Sequence, residues 1–143
     1  MELVTGYTGT QHVSSSQDGA RQAGTVGLGQ YVLSTGQKLS ANMEDANTLV
    51  VASGDAMMNG RHVSLPDPTS FTIPTGVQGM QVSNLACIRY ERTSDSKESV
   101  TPVVLTGEPA AESPQDPAYN DGSILDGDST VDFPLYRVVT TGI

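Results

Sequence analysis

Apolar and polar positions alternate with a period of two in most segments that show any period, which is the signature of half-buried β-strands. The clearest case is residues 84–92, where Ala86, Ile88 and Tyr90 share one face while Leu85, Cys87 and Arg89 share the other. A charged loop over Thr93–Glu98 and a second strand over Ser99–Thr106 complete a predicted antiparallel hairpin, with Pro102 marking an edge or a bulge. Further on, Val131, Phe133, Leu135, Arg137 and Val139 alternate with Asp132, Pro134, Tyr136 and Val138, predicting a last strand to Thr140. Earlier in the chain the pattern predicts strands over Gln30–Ser34 and Lys38–Met43, the latter with Leu39, Ala41 and Met43 on one face. A continuous apolar strand is expected over Asn47–Ala52, and another strand from Phe71, whose ring faces the same way as Ile73. Between them, Ser53–Pro66 reads as a turn at Gly54–Asp55, a Met-rich bend, and a strand in which Arg61, Val63 and Leu65 alternate with His62 and Ser64.

Two stretches lack this period. Residues 1–29 are small and polar, with a short helix predicted from Gln17 to Ala23, N-capped by Ser14, Ser15 or Ser16 and ended by Gly24. They read as an extended N-terminal arm with little to bury against its own domain, either disordered alone or ordered by a neighbouring subunit, the second being favoured. Residues 107–120 hold three of the eight prolines and predict a long irregular excursion, of a kind that tends to be functional or interfacial. Seven or eight short strands predict an all-β chain, with a single antiparallel β-sandwich, jelly-roll-like or barrel domain over residues 30–143 behind the arm.

Composition narrows the function classes. Leu, Ile, Val and Phe number only 31 in 143 residues, and Trp is absent, so the core is thin or completed by oligomerisation. A net charge of −9 is opposite to that of a nucleic-acid binder, and it disfavours an anionic membrane surface. No run approaches the ~20 apolar residues of a membrane helix, and the first residues lack the pattern of a secretory leader, so the expectation is a protein made soluble in a cytoplasm. Cys87 is the only cysteine, so no intrachain disulfide forms.

Candidate chemistry is sparse. His12 and His62, the two histidines, have no metal-ligand spacing. The acidic run Asp126, Asp128 and Asp132 resembles a calcium loop only until its sixth and twelfth positions, which are Val131 and Arg137 instead of Gly and Glu. Gly24–Gln30 is glycine-rich but lacks a preceding strand and the lysine of a phosphate loop. Cys87 has no histidine near it in sequence and reads as a buried structural thiol. No catalytic residue, cofactor or metal is predicted, and the chain is expected not to be an enzyme.

Three segments do have a recognisable order: residues 4–33, with His12-Val13 and Gln17-Asp18-Gly19; residues 53–65, with Gly54-Asp55 and Gly60-Arg61-His62; and the series 84–92, 99–109, 116–127 and 132–139. Together they resemble small tail-tip, baseplate or receptor-binding-type structural proteins of bacteriophages and prophages of Gram-positive hosts. The resemblance implies a structural virion protein of the phage tail, which builds or anchors the host-adsorption apparatus through homo-oligomers, with trimers favoured. Other phage tail proteins would be its partners. A carbohydrate-binding module recognising host cell-wall glycan is the alternative, against which the shortage of aromatic residues argues. His12, Gln17, Asp18, Met57, Met58, Arg61 and His62 are the candidate interface residues; a Met pair suits an adaptable contact surface as well as it suits a thin core.

Overall fold

The computed structural model describes residues 3–5, 9 and 13–143. Its described part is mostly β, with one α-helix and nine strands arranged in three antiparallel three-stranded sheets. None of these sheets closes into a barrel. The first sheet has the order β1-β4-β5, from Gln30–Val32, Gly54–Met58 and Arg61–Leu65. The second, β2-β3-β6, comprises Ala41–Asp45, Thr48–Val51 and Thr69–Thr72. The third, β8-β7-β9, pairs the twelve-residue β7 (Gln81–Arg92) with β8 (Glu98–Thr106) on one side and β9 (Thr130–Thr141) on the other. All three sheets contribute to one core: Met58 and Val63 from the first, Leu49, Val51 and Phe71 from the second, and Ala86, Ile88, Tyr90 and Val131 from the third. Among the described residues no helix is long and apolar enough to cross a membrane.

The alternation over Arg61–Leu65 and Ala86–Tyr90 is realised as predicted, and Pro102 does lie on the edge strand β8, where its missing N–H breaks no ladder. Four local readings are corrected. Residues 38–43 do not form one strand: Lys38 and Leu39 adopt left-handed conformations, β2 begins only at Ala41, and Met43 is exposed. Leu39 is nevertheless wholly buried, its carbonyl accepting a 2.6 Å hydrogen bond from the Tyr136 hydroxyl. Gly54–Asp55 is not a turn but the start of β4, and Met57 and Met58 belong to that strand and not to a bend. Glycine is needed at position 54 because a Cβ there would lie 2.7 Å from the Leu39 backbone nitrogen. The β3 segment alternates, with Leu49 and Val51 buried, instead of being apolar throughout on both faces.

The fourth correction concerns β9. Its register against β7 shifts between Ala86 and Cys87, where Tyr136 and Pro134 are the partners and Leu135 is the extra residue. This bulge reverses the alternation. Val131 and Phe133 face the core before it, while Tyr136 and Val138 do so after it. Arg137, placed by a simple period-two reading on the face of Val131, lies instead on the outer side.

The outer side of β7 is buried too. Leu85 and Cys87 are nearly or fully inaccessible beneath the 107–120 excursion, which carries no strand or helix of its own. Asp116 fastens it by accepting from Ser83 Oγ at 2.6 Å and from Arg137 Nε at 2.6 Å. A paired bridge between Gln81 and Ala110 pins its start. Burial, with the nearby Asp132 charge, pushes the Cys87 thiol up to about 12, so it stays protonated.

Candidate functional site

The N-terminal helix α1 spans Ser15–Val26, longer than the Gln17–Ala23 expected, with Gly24 inside it and Gly27 as its C-cap. Ser14 and Gln17 form a capping box, and Asp18 lies in the first turn, where a carboxylate suits the helix dipole. A helix of twelve residues is marginal alone. Within the single chain it packs on the β4–β5 hairpin. Its buried positions, Gly19 and Ala23, are one turn apart and are small enough to admit the β4–β5 hairpin turn at Asn59–Gly60. Both turn residues have positive φ, 49° and 86°, and a Cβ on Gly60 would collide with the Gly19 carbonyl.

Arg61 closes this contact. Its Nη1 donates to the Ser15 carbonyl at 2.9 Å, while Nε and Nη2 donate to Glu98 Oε1 at 3.1 and 2.9 Å. Ser15 Oγ and the Tyr90 hydroxyl each donate to the same carboxylate at 2.6 Å. Burial would raise Glu98, but the hydrogen bonds from Ser15, Tyr90 and Arg61 outweigh it and hold the carboxyl at about 2. The cluster therefore ties helix, hairpin and the β7–β8 sheet together with a fully occupied carboxylate. On the neighbouring face, Asp55 accepts from Thr35 at 2.6 Å and contacts His62 Nε2 at 2.7 Å, two hydrogen bonds that lower its pKa. The hydroxyl here bonds the carboxylate and not the imidazole, which is the wrong order for activating a nucleophile.

Of the candidate interface residues, the structure brings Arg61 and Gln17 into the helix clamp. Asp18 and His62 are exposed. Met57 and Met58 are buried in the single chain. His12 lies outside the described residues. Among the described residues no group of three or more His, Cys, Asp or Glu side chains is placed to hold a metal ion.

A cleft that sequence reasoning did not find lies between the helix–β1 link and the end of the long excursion. It has a volume of about 510 Å³ and is lined by Gly29, Gln30, Asn59, Tyr119, Asp121, Gly122, Phe133 and Pro134. Two buried polar residues build it. Asn59, at the hairpin tip, donates from Nδ2 to the Leu28 carbonyl at 3.0 Å and accepts from the Ile124 N–H at 3.1 Å. Asp132, 0% exposed, receives Arg89 Nε at 2.8 Å and Nη2 at 3.2 Å, and its Oδ2 also accepts from Asn120 N at 3.0 Å and Nδ2 at 2.9 Å. Burial opposes ionisation of Asp132, but the bonds from Arg89 and Asn120 prevail and lower its pKa. The lip Tyr119–Gly122 is thus fastened at Asn120 with its two neighbours facing outward. The only sequence signal was that Asp132 alternates with core residues on a strand, a position where an acid needs a partner. Comparison with protein-family models, curated proteins and solved structures returns no match.

Proposed function

We propose that this chain is a non-catalytic structural protein of a phage tail tip or baseplate, which assembles as a homo-oligomer, with a trimer favoured. The observation that carries the assembly reading is the edge strand β1. Among the described residues no strand pairs with its outer side, and Tyr31 and Val32 are exposed on it, Val32 by 45%, close after the exposed Val26 and Leu28. An open edge with exposed apolar residues is a template for pairing with another chain. The phage assignment is supported by the order of the resembling segments, and the non-catalytic reading by carboxylates Glu98, Asp116 and Asp132, each occupied by an arginine within the fold. A core shared by three sheets supports a sandwich-like arrangement.

Light scattering and native mass spectrometry at micromolar concentration should give an oligomer that Val32→Lys dissociates with little change in melting temperature. Immunogold labelling of phage particles should decorate the tail tip. A monomer at all concentrations overturns the assembly reading, and unlabelled tails overturn the virion reading.

A further inference from the structure

We propose, resting on the homo-oligomer reading above, that β1 of one copy adds to the outer edge of β5 in the next, with Val32 filling an apolar slot between β5, β6 and β8. β1 and β5 are the two ends of the same sheet. Val32 stands in register with Ala56 and, through it, with Val63. Ala56 and Val63 belong to the core, so Val32 lies on the core face of the sheet, yet it is 45% exposed at the edge. At the opposite edge Val63 borders the slot, whose other apolar walls are Leu65, Phe71, Ile88, Val100 and Pro102. The slot has a volume of about 120 Å³, room for one aliphatic side chain.

The backbone phases of the two edges match. Bonds from the Leu33 N–H to the Asp55 carbonyl and from the Asn59 N–H to the Gly29 carbonyl show that odd-numbered residues of β1 bond β4. Gln30 and Val32 therefore turn their N–H and C=O groups to the open side. Even-numbered residues of β4 bond Arg61, Val63 and Leu65, which leaves the backbone groups of His62 and Ser64 on the outer side of β5. β1 and β5 run in the same direction, both antiparallel to β4. In a parallel ladder one residue bonds the two that flank its opposite number, so Val32 bonds His62 and Ser64 while its side chain sits beside Val63. Antiparallel addition would set Val32 opposite His62 or Ser64 and turn it away from the slot.

Charge favours a second copy as the occupant. Residues 22–37 carry no charged side chain and none lines the slot, whereas the chain as a whole carries −9. Two copies therefore meet at these neutral surfaces with least repulsion. Donor and acceptor are different parts of one chain, so the contact is head-to-tail and repeats until a ring closes.

The test uses single variants of the full chain. Val32→Cys and Val100→Cys, co-expressed and treated with a short thiol cross-linker, should give a covalent dimer of the two variants that neither gives alone. Cys87 is buried and takes no part. Val100→Lys should weaken association about tenfold or more and leave circular dichroism unchanged, because Val100 is 42% exposed in the single chain. No cross-link in the mixture, cross-linking of Val32→Cys to itself, or an oligomer that Val100→Lys leaves intact overturns the head-to-tail pairing and leaves the homo-oligomer standing. A wild type that is monomeric at all concentrations overturns both.

Discussion

Two arginine–carboxylate clusters in this chain have nearly the same parts and opposite settings. Asp132 is wholly inaccessible on β9 and faces Arg89 across the ladder to β7, whereas the Glu98 side chain is 25% exposed and meets Arg61 from a different sheet. Both carboxylates gather further donors, Asn120 in the first case and Ser15 with Tyr90 in the second. The buried pair holds a loop against the strand from below. The surface pair fastens a helix from outside, over a contact made of Gly19, Ala23 and Gly60. Burial decides how each fails: removing one partner of a buried pair strands a charge in a poor medium, while a solvated pair loses a contact that water partly replaces.

The comparison can be broken most severely on β7 itself. Ile88 sits in the core with no arginine opposite, so Ile88→Asp places there a carboxylate without the partner that Asp132 has. Circular dichroism should show no cooperative thermal transition. Asp132→Ala should cost about 3 kcal/mol in urea unfolding, because Arg89 and the Asn120 N–H both lose their acceptor. The lip at Tyr119–Gly122 should become the first site of proteolysis. If that variant melts like wild type, the buried cluster does not organise the loop.

The surface cluster should yield more gently. Gly60→Ala forces a side chain into a left-handed turn and against the Gly19 carbonyl, so α1 must lift away. A cost of about 1–2 kcal/mol is expected. Hydrogen exchange should rise over Ser15–Val26 while β7 stays protected. Smallest is Glu98→Gln, at about 1 kcal/mol near neutral pH. Glu98 is held at about 2 in the fold against an ordinary 4.5. Its contribution is therefore complete above about pH 4.5 and fades as pH falls towards about 2. Melting temperature plotted against pH should be flatter across that window in the variant than in wild type. Equal slopes would remove Glu98 from the clamp.

Legibility followed the range of the interactions. The Ser14 cap with Gln17, the strands at Arg61–Leu65 and Asn84–Arg92, and the hairpin that joins β7 to β8 rest on neighbours within a few residues, and the alternation displays them directly. Gly54 was misread because glycine marks both turns and close backbone approaches; here the approaching atom is the Leu39 nitrogen, fifteen residues back in the chain. The β9 phase change was invisible for a similar reason. Leu135, Tyr136 and Val138 are apolar, so either phase looks acceptable until β7 imposes the bulge. The cleft was harder still, since Gln30, Asn59, Tyr119 and Phe133 come together only through long-range polar bonds.

The chain by itself determined that this protein is β-rich, antiparallel in its strongest pairing, acidic, and poor in the residue patterns of known catalytic sites. Those properties follow from local periodicity and from counts, which survive without knowledge of the fold. Only the tertiary structure decided that α1 rests on its own hairpin, that the 107–120 excursion buries the second face of β7, and that Asp132 belongs to Arg89 and Asn120. Each of those depends on a contact between residues far apart in sequence. A polar group taken from water needs its partner within about 3 Å, and only the folded backbone specifies which residue stands there.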